Sequence, residues 1–168
     1  MNRVALIGNA GSGKSTFARE LHKITNIPLV HSDVIYHSTV WPKEEAAKQR
    51  MWEKVWSPII AKESWIIDGN NDRVLPMILK RADTVIFLDF SRRVQFSRLL
   101  KRRLMYSSQK RPDMPVHWQE KIDLGFWKLV WGFNKKNRPK LLQLLRALPD
   151  SKKVVIVKSP RQLEKYLY

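Results

Sequence analysis

The stretch Gly8-Asn9-Ala10-Gly11-Ser12-Gly13-Lys14-Ser15 fits the pattern G-x-x-x-x-G-K-[ST] without a mismatch and constrains this chain more than any other feature. The apolar run Val4-Ala5-Leu6-Ile7 precedes it, and Phe17, Leu21 and Ile24 fall on one helical face after it. Strand, glycine loop and helix together are what make such a pattern a phosphate cradle. The glycines let consecutive backbone N–H groups converge on phosphate oxygens, and the helix adds the positive end of its dipole. Lys14 is expected to reach the β- and γ-phosphates of a nucleoside triphosphate, and the Ser15 hydroxyl to ligate Mg²⁺.

The rest of the chain alternates in the same way. Arg3–Ile7 reads as a strand, 14–25 as a helix, and 28–31 as a short strand ending at Ser32-Asp33. From Pro42 to about Ala61 a helical pattern runs through Ala47, Met51, Val55 and Ile59, with a kink or early stop expected at Pro58. Residues 64–67 give a third strand, followed by a short helix containing Pro76 and Met77 that Asp72 can cap. A fourth strand at 84–88 leads through Ser91, a natural N-cap, into a basic helix. Two helices are expected near 118–133 and 139–148, then a fifth strand at 154–157 and a last helix opened by Ser159-Pro160. Strands alternating with helices predict a parallel sheet covered on both faces, with ligands at the carboxyl ends of the strands. Asp33, Asp68, Asp89 and Lys158 all fall at such ends, as does the loop at Gly8.

Composition narrows the partners. At 168 residues the chain suits a single domain spanning 1–168, able to bury about 70% of its unfolded surface. There is no cysteine, hence no disulfide and no thiolate metal site. The apolar run near the N-terminus flows straight into the glycine loop, which argues against a signal peptide, and no apolar run approaches the length of a membrane span. A cytoplasmic location is expected. The formal charge of +17 favours polyanions, whether nucleotides, non-specifically bound nucleic acid or anionic lipid, or else reflects a solvated basic face.

The acids carry the next expectations. Asp68 closes the hydrophobic run Trp65-Ile66-Ile67, where a carboxylate can orient Mg²⁺ or its water shell; with Gly69 it is also an ordinary turn pair. Asp33 stands where it would face an acceptor, as general base or hydrogen-bond acceptor, or simply as an Asx-turn residue. Asp89 is given no chemistry. The tryptophans Trp52 and Trp56, and Trp127 and Trp131, spaced four apart, read as core or groove lining.

Gly8 to Thr16, Trp65-Ile66-Ile67-Asp68-Gly69 with Arg73, and Phe87-Leu88-Asp89 with Arg98-Leu99-Leu100-Lys101-Arg102-Arg103 together resemble the adenylate kinase branch of P-loop kinases. The resemblance implies a P-loop NTPase α/β/α fold with a five-stranded parallel sheet and a helical lid near 104–118. It places Thr16 with the phosphate loop, Arg98 over adenine, Arg102 on the phosphates and Arg111 at the lid tip. Arg73 would hold the phosphate of an acceptor, Asp68 and Asp33 lining the same site, although Asn70-Asn71-Asp72 departs from the family's usual step before that arginine. Over nearly its full length the chain also resembles the small adenylate-kinase-related proteins called DNA topology modulation proteins, through Trp-Ile-Ile-Asp-Gly-Asn, Arg-Pro-Asp-Met-Pro and the stretch from Glu120 to Trp131. The expected activity is transfer of the γ-phosphoryl group of ATP·Mg²⁺ to a small acceptor, with a nucleoside monophosphate, a nucleoside and a hydroxylated metabolite all open. A nucleotide or nucleoside comes first, and a phosphate acceptor in particular because of Arg73. The alternative is an ATP-dependent nucleic-acid-binding regulator.

Overall fold

Short β-branched runs separated by amphipathic helices build one parallel sheet. The computed structural model describes residues 1–105 and 124–165. Its strands are β1 (Arg3–Gly8), β2 (Leu29–His31), β3 (Trp65–Asp68), β4 (Thr84–Leu88) and β5 (Lys153–Val157). Its helices are α1 (Lys14–Thr25), α2 (Ser32–Ser38), α3 (Glu45–Ile60), α4 (Leu75–Arg81), α5 (Arg92–Met105), α6 (Leu124–Arg146) and α7 (Pro160–Glu164). The order across the sheet is β2-β3-β1-β4-β5, with every pairing parallel. This is the P-loop NTPase α/β fold that the sequence predicts.

Period-2 alternation divides the core. Val4 and Leu6 of β1 pack with Phe17 and Leu21 of α1, whereas Ala5 and Ile7 pack with Trp52 and Trp56 of α3. Strands β3 and β4 are buried throughout, while the edge strands β2 and β5 are partly exposed. That is the pattern of a parallel sheet with helices on both faces. It also aligns the carboxyl ends of β1, β3 and β4, so that the glycine loop opens at the middle of the sheet.

Several local expectations are corrected. Residues 32–38 form α2, which period alone did not reveal in seven residues. The buried stripe of α3 is Trp52, Trp56 and Ile60, one position on from the expected one, because the larger indoles take the core. The helix also runs through Pro58 to Ile60. Ile24 is 56% exposed, one turn beyond the end of the apolar face. Val74, not Asp72, precedes α4, and no side chain caps it. The two helices expected between 118 and 148 are a single α6 through Pro139 where the chain is described, held on both sides of the proline by buried Phe133, Leu141 and Leu145. Residues 106–123, with most of the expected lid and Trp118, lie outside the described residues.

Candidate active site

The loop between β1 and α1 is shaped by what presses on it. Gly11, at φ 77°, has so little room that a Cβ would stand 2.5 Å from the carbonyl oxygen of Gln95 and 2.8 Å from Leu99. Only glycine lets α5 approach the loop this closely. Asn9 is 2% exposed: its Nδ2 donates to Gln95 Oε1 at 2.6 Å and to Val130 O at 2.9 Å. Its side chain therefore braces the loop from behind, leaving backbone to face a ligand. Lys14, at the start of α1, donates from Nζ to Asn9 O at 3.1 Å, folded back over the loop.

The acids come next. Parallel pairing of β2 and β3 sets His31 beside Asp68, and His31 Nδ1 lies 2.9 Å from Asp68 Oδ2. Asp68 is 5% exposed, and its other oxygen, Oδ1, is buried with no hydrogen-bond partner among the described residues. A buried carboxylate oxygen without a donor is costly and fits a cation or one of its waters. No group of three or more His, Asp or Glu among the described residues could cage a metal. One carboxylate, the Ser15 hydroxyl and substrate phosphates are instead the ligand set that suits Mg²⁺. Gly69 follows at φ 135°, and a Cβ there would overlap the Ser32 hydroxyl, so β3 leaves the sheet hard against the start of α2. Asp33 sits in the first turn of α2, exposed toward the cleft.

The arginines divide. Arg98 donates from Nη1 to Ser12 O at 2.8 Å and lies 5.2 Å over the Phe90 ring. Burial of its guanidinium lowers its pKa from the usual arginine value, and it stays charged at neutral pH. Arg102 lines the cleft one turn further along α5. Arg73 is not part of that lining: its Nη2 donates to Glu45 Oε2 at 2.7 Å, on α3. The structure thus does not bring Arg73 to the site where the resemblance puts an acceptor phosphate. Arg111 lies outside the described residues.

Most of these residues border one cleft of about 970 Å³. Gly8–Gly11, Gly13–Thr16, Asp33, Asp68, Arg98 and Arg102 line it, whereas Ser12 turns its side chain into the fold, with Oγ buried. Residues not foreseen as part of the site include Tyr36 and His37 of α2, Asn70 and Asn71 after β3, and Asn137 of α6. Gln95, Val130 and His31 support it from outside. None of these stands in a recognisable pattern; only the register of β2 on β3 and the approach of α6 to the loop reveal them. Asp89 proves to be a brace, taking Arg138 Nε and Nη2 on its two oxygens at 2.7 Å each. The basic surface is partly structural too, for Lys152 Nζ donates to the carbonyls of Lys80 and Ala82 at the end of α4. Arg92 rests over Trp131, 4.7 Å from its ring centroid, so Trp131 lies on the exposed α5–α6 face and not in the core. Among the described residues no helix is long and apolar enough to cross a membrane.

No protein-family model matches the chain, and no curated protein matches it in sequence. Solved structures do match. The shikimate kinase of Acinetobacter baumannii, solved in complex with shikimate, is 12% identical with a TM-score of 0.63, over 99% of this chain and 91% of its own. The shikimate kinase of Bacteroides thetaiotaomicron is 18% identical with a TM-score of 0.57, over 99% and 94%. That of Aquifex aeolicus is 21% identical with a TM-score of 0.52, over 98% and 91%. None of these three is a DNA topology modulation protein. At such identities the likeness speaks for the fold alone, and the fold of this chain is that of the P-loop kinases.

Proposed function

We propose that the protein transfers the γ-phosphoryl group of ATP·Mg²⁺ to a small acceptor. The observation that carries this reading is the meeting of Lys14, Ser15, Asp68, Asp33 and Arg102 around one cleft of about 970 Å³ at the carboxyl ends of the strands. The loop amides and Lys14 bind the β- and γ-phosphates, and Arg102 stabilises charge on the migrating group. Ser15 and Asp68 hold Mg²⁺, which when bound offsets the phosphate charge. The acceptor oxygen attacks the γ-phosphorus, the bond from phosphorus to the β,γ-bridging oxygen breaks, and ADP leaves. Where that oxygen is a hydroxyl, its proton passes to the Asp33 carboxylate and then to solvent. The position of Asp33 in the cleft, with Arg73 engaged by Glu45, supports a hydroxyl acceptor over the phosphate acceptor that the sequence favoured.

A second reading, an ATP-dependent nucleic-acid-binding regulator, draws on the charge of +17. One assay separates the two: ADP release measured against nucleosides, nucleoside monophosphates and sugar acids, with and without duplex DNA. The kinase reading expects release that depends on an acceptor and is indifferent to DNA. Release that needs DNA and no acceptor overturns it.

A further inference from the structure

The strand order makes the two halves of the cleft chemically unlike. On the β4 side of the loop, α5 contributes the cations Arg98, Lys101 and Arg102. On the β3 and β2 side the lining is Asp33, Tyr36 and His37 from α2, then Asn70 and Asn71 after β3. Asn137 of α6 joins them, since it and Asn70 also share a smaller adjoining cleft of about 220 Å³. The first half suits the triphosphate, which leaves the second for the acceptor.

That second half has a definite chemistry. The exposed Asp33 carboxylate repels an anionic acceptor and welcomes a hydroxyl. Each asparagine amide offers both donors and an acceptor, the complement of hydroxyl groups and of the edge of a heterocycle. Tyr36 is 40% exposed at the wall, and it is not a loose ring. Its plane lies within 12° of Trp52, at 5.9 Å between centroids, and within 22° of Trp41, at 6.1 Å. Trp41 and Trp52 themselves stack at 4.0 Å, and Trp41 Nε1 donates to Tyr36 O at 2.7 Å. Trp52 is 1% exposed, so the ring at the cleft is continuous with the core. A pre-set aromatic surface is what a flat ring binds, because little side-chain freedom is lost on stacking.

We infer that the acceptor is an uncharged, hydroxylated molecule with a flat ring, the chemical class of a nucleoside, and that Tyr36 is the residue on which that ring stacks. The inference rests on the kinase reading and narrows it. It separates this site from one built for a nucleoside monophosphate or a sugar acid.

The test is calorimetric and needs no turnover. The full chain is titrated with a non-hydrolysable ATP analogue and Mg²⁺, and the loaded protein is then titrated with adenosine, guanosine, cytidine and thymidine and with their 5′-monophosphates. At least one nucleoside is expected to bind roughly tenfold or more tightly than its own monophosphate. Tyr36→Leu, which keeps apolar bulk without a ring, should weaken that nucleoside on the order of tenfold, and Tyr36→Phe should bind it far better than Tyr36→Leu does. The ATP analogue should bind all three proteins alike, which also reports that the variants fold. Binding of the monophosphates but not the nucleosides, binding of neither, or equal nucleoside affinity in Tyr36→Leu and the parent overturns the inference while leaving the kinase reading intact. Failure of the parent protein to bind the ATP analogue removes the kinase reading, and the inference with it.

Discussion

Asn9 and Gln95 form a buried amide pair, Nδ2 to Oε1 at 2.6 Å, that ties the phosphate loop to α5. The same Nδ2 donates to Val130 O on α6, and Asn9 Oδ1 accepts from the amide of Ala10. Gln95 completes the set by donating Nε2 to Phe90 O at 2.7 Å. A variable position of the phosphate motif is thereby the joint at which β1, α5 and α6 meet. A satisfied network in a low-dielectric setting holds its parts rigidly, and a half-satisfied one is costly.

Asn9→Asp tests this joint. The variant keeps the shape but turns a donor into an acceptor, setting a buried carboxylate against Gln95 Oε1 and Val130 O. The expected loss of stability is about 3 kcal/mol or more, from desolvation and unmatched acceptors. Gln95→Leu, which leaves Asn9 with one acceptor for its amide, should cost about 1–3 kcal/mol. Urea denaturation measures both, and an unchanged midpoint for Asn9→Asp would show that the pair does not hold the loop.

Lys14→Ala separates binding from folding. Lys14 Nζ donates to the loop's own Asn9 carbonyl, and the loop amides that shape the cradle do not depend on it, so its loss should leave the melting temperature near that of the parent. Without the cation at the β- and γ-phosphates, affinity for ATP should fall on the order of tenfold or more. Titration calorimetry giving one affinity for both proteins would sink the assignment of Lys14 to the phosphates.

Arg138 and Asp89 predict an energetic coupling between α6 and the end of β4. The bidentate contact at 2.7 Å raises the Arg138 pKa through the hydrogen bonds and charge of Asp89, against a smaller opposing effect of burial. The Arg138 side chain is 36% exposed while that of Asp89 is 9% exposed, so solvent screens the pair from one side. A double-mutant cycle with Arg138→Ala and Asp89→Ala should return a coupling of about 1–2 kcal/mol. A coupling indistinguishable from zero would reduce the pair to a surface contact.

The fold was legible because its signals are local and agree with one another. Val4-Ala5-Leu6-Ile7, Gly8 to Ser15 and the amphipathic face after them each demand the same strand–loop–helix unit. The lining of the cleft was most legible where a residue closes or follows such a strand, as Lys14, Asp33 and Asp68 do. Tyr36 and His37 were missed because α2 is too short for period to betray it. His31 was missed because its partner lies across a strand pairing, 37 residues away. Arg73 stands apart from the cleft lining for a different reason: the resemblance names it from chain position, while Glu45, on a helix upstream, takes its guanidinium.

The last prediction concerns acid stability and lies at the other end of the sheet from the cleft. Asp83 precedes β4, and its Oδ2 accepts from the amides of Asn2 at 2.9 Å and Arg3 at 2.8 Å. Its Oδ1 accepts from the Thr84 hydroxyl at 2.7 Å. Burial alone would raise its pKa, but the hydrogen bonds from Arg3, Thr84 and Asn2 together outweigh it and hold the carboxyl below its ordinary 3.8. A group whose pKa is lower folded than unfolded contributes stability that is fully present above the unfolded value and is lost as pH falls through the folded one. The ionised carboxylate should therefore stabilise the junction of β1 and β4 by about 1 kcal/mol at neutral pH. Asp83→Asn should be less stable than the parent by that order at pH 7. The gap should begin to close as pH falls below about 4, where the unfolded parent's carboxyl takes up its proton, and go on closing as the folded one does. Denaturation midpoints measured from pH 7 down to pH 3 check this, and a gap that widens toward acid would show that the carboxyl is not held ionised by the strand.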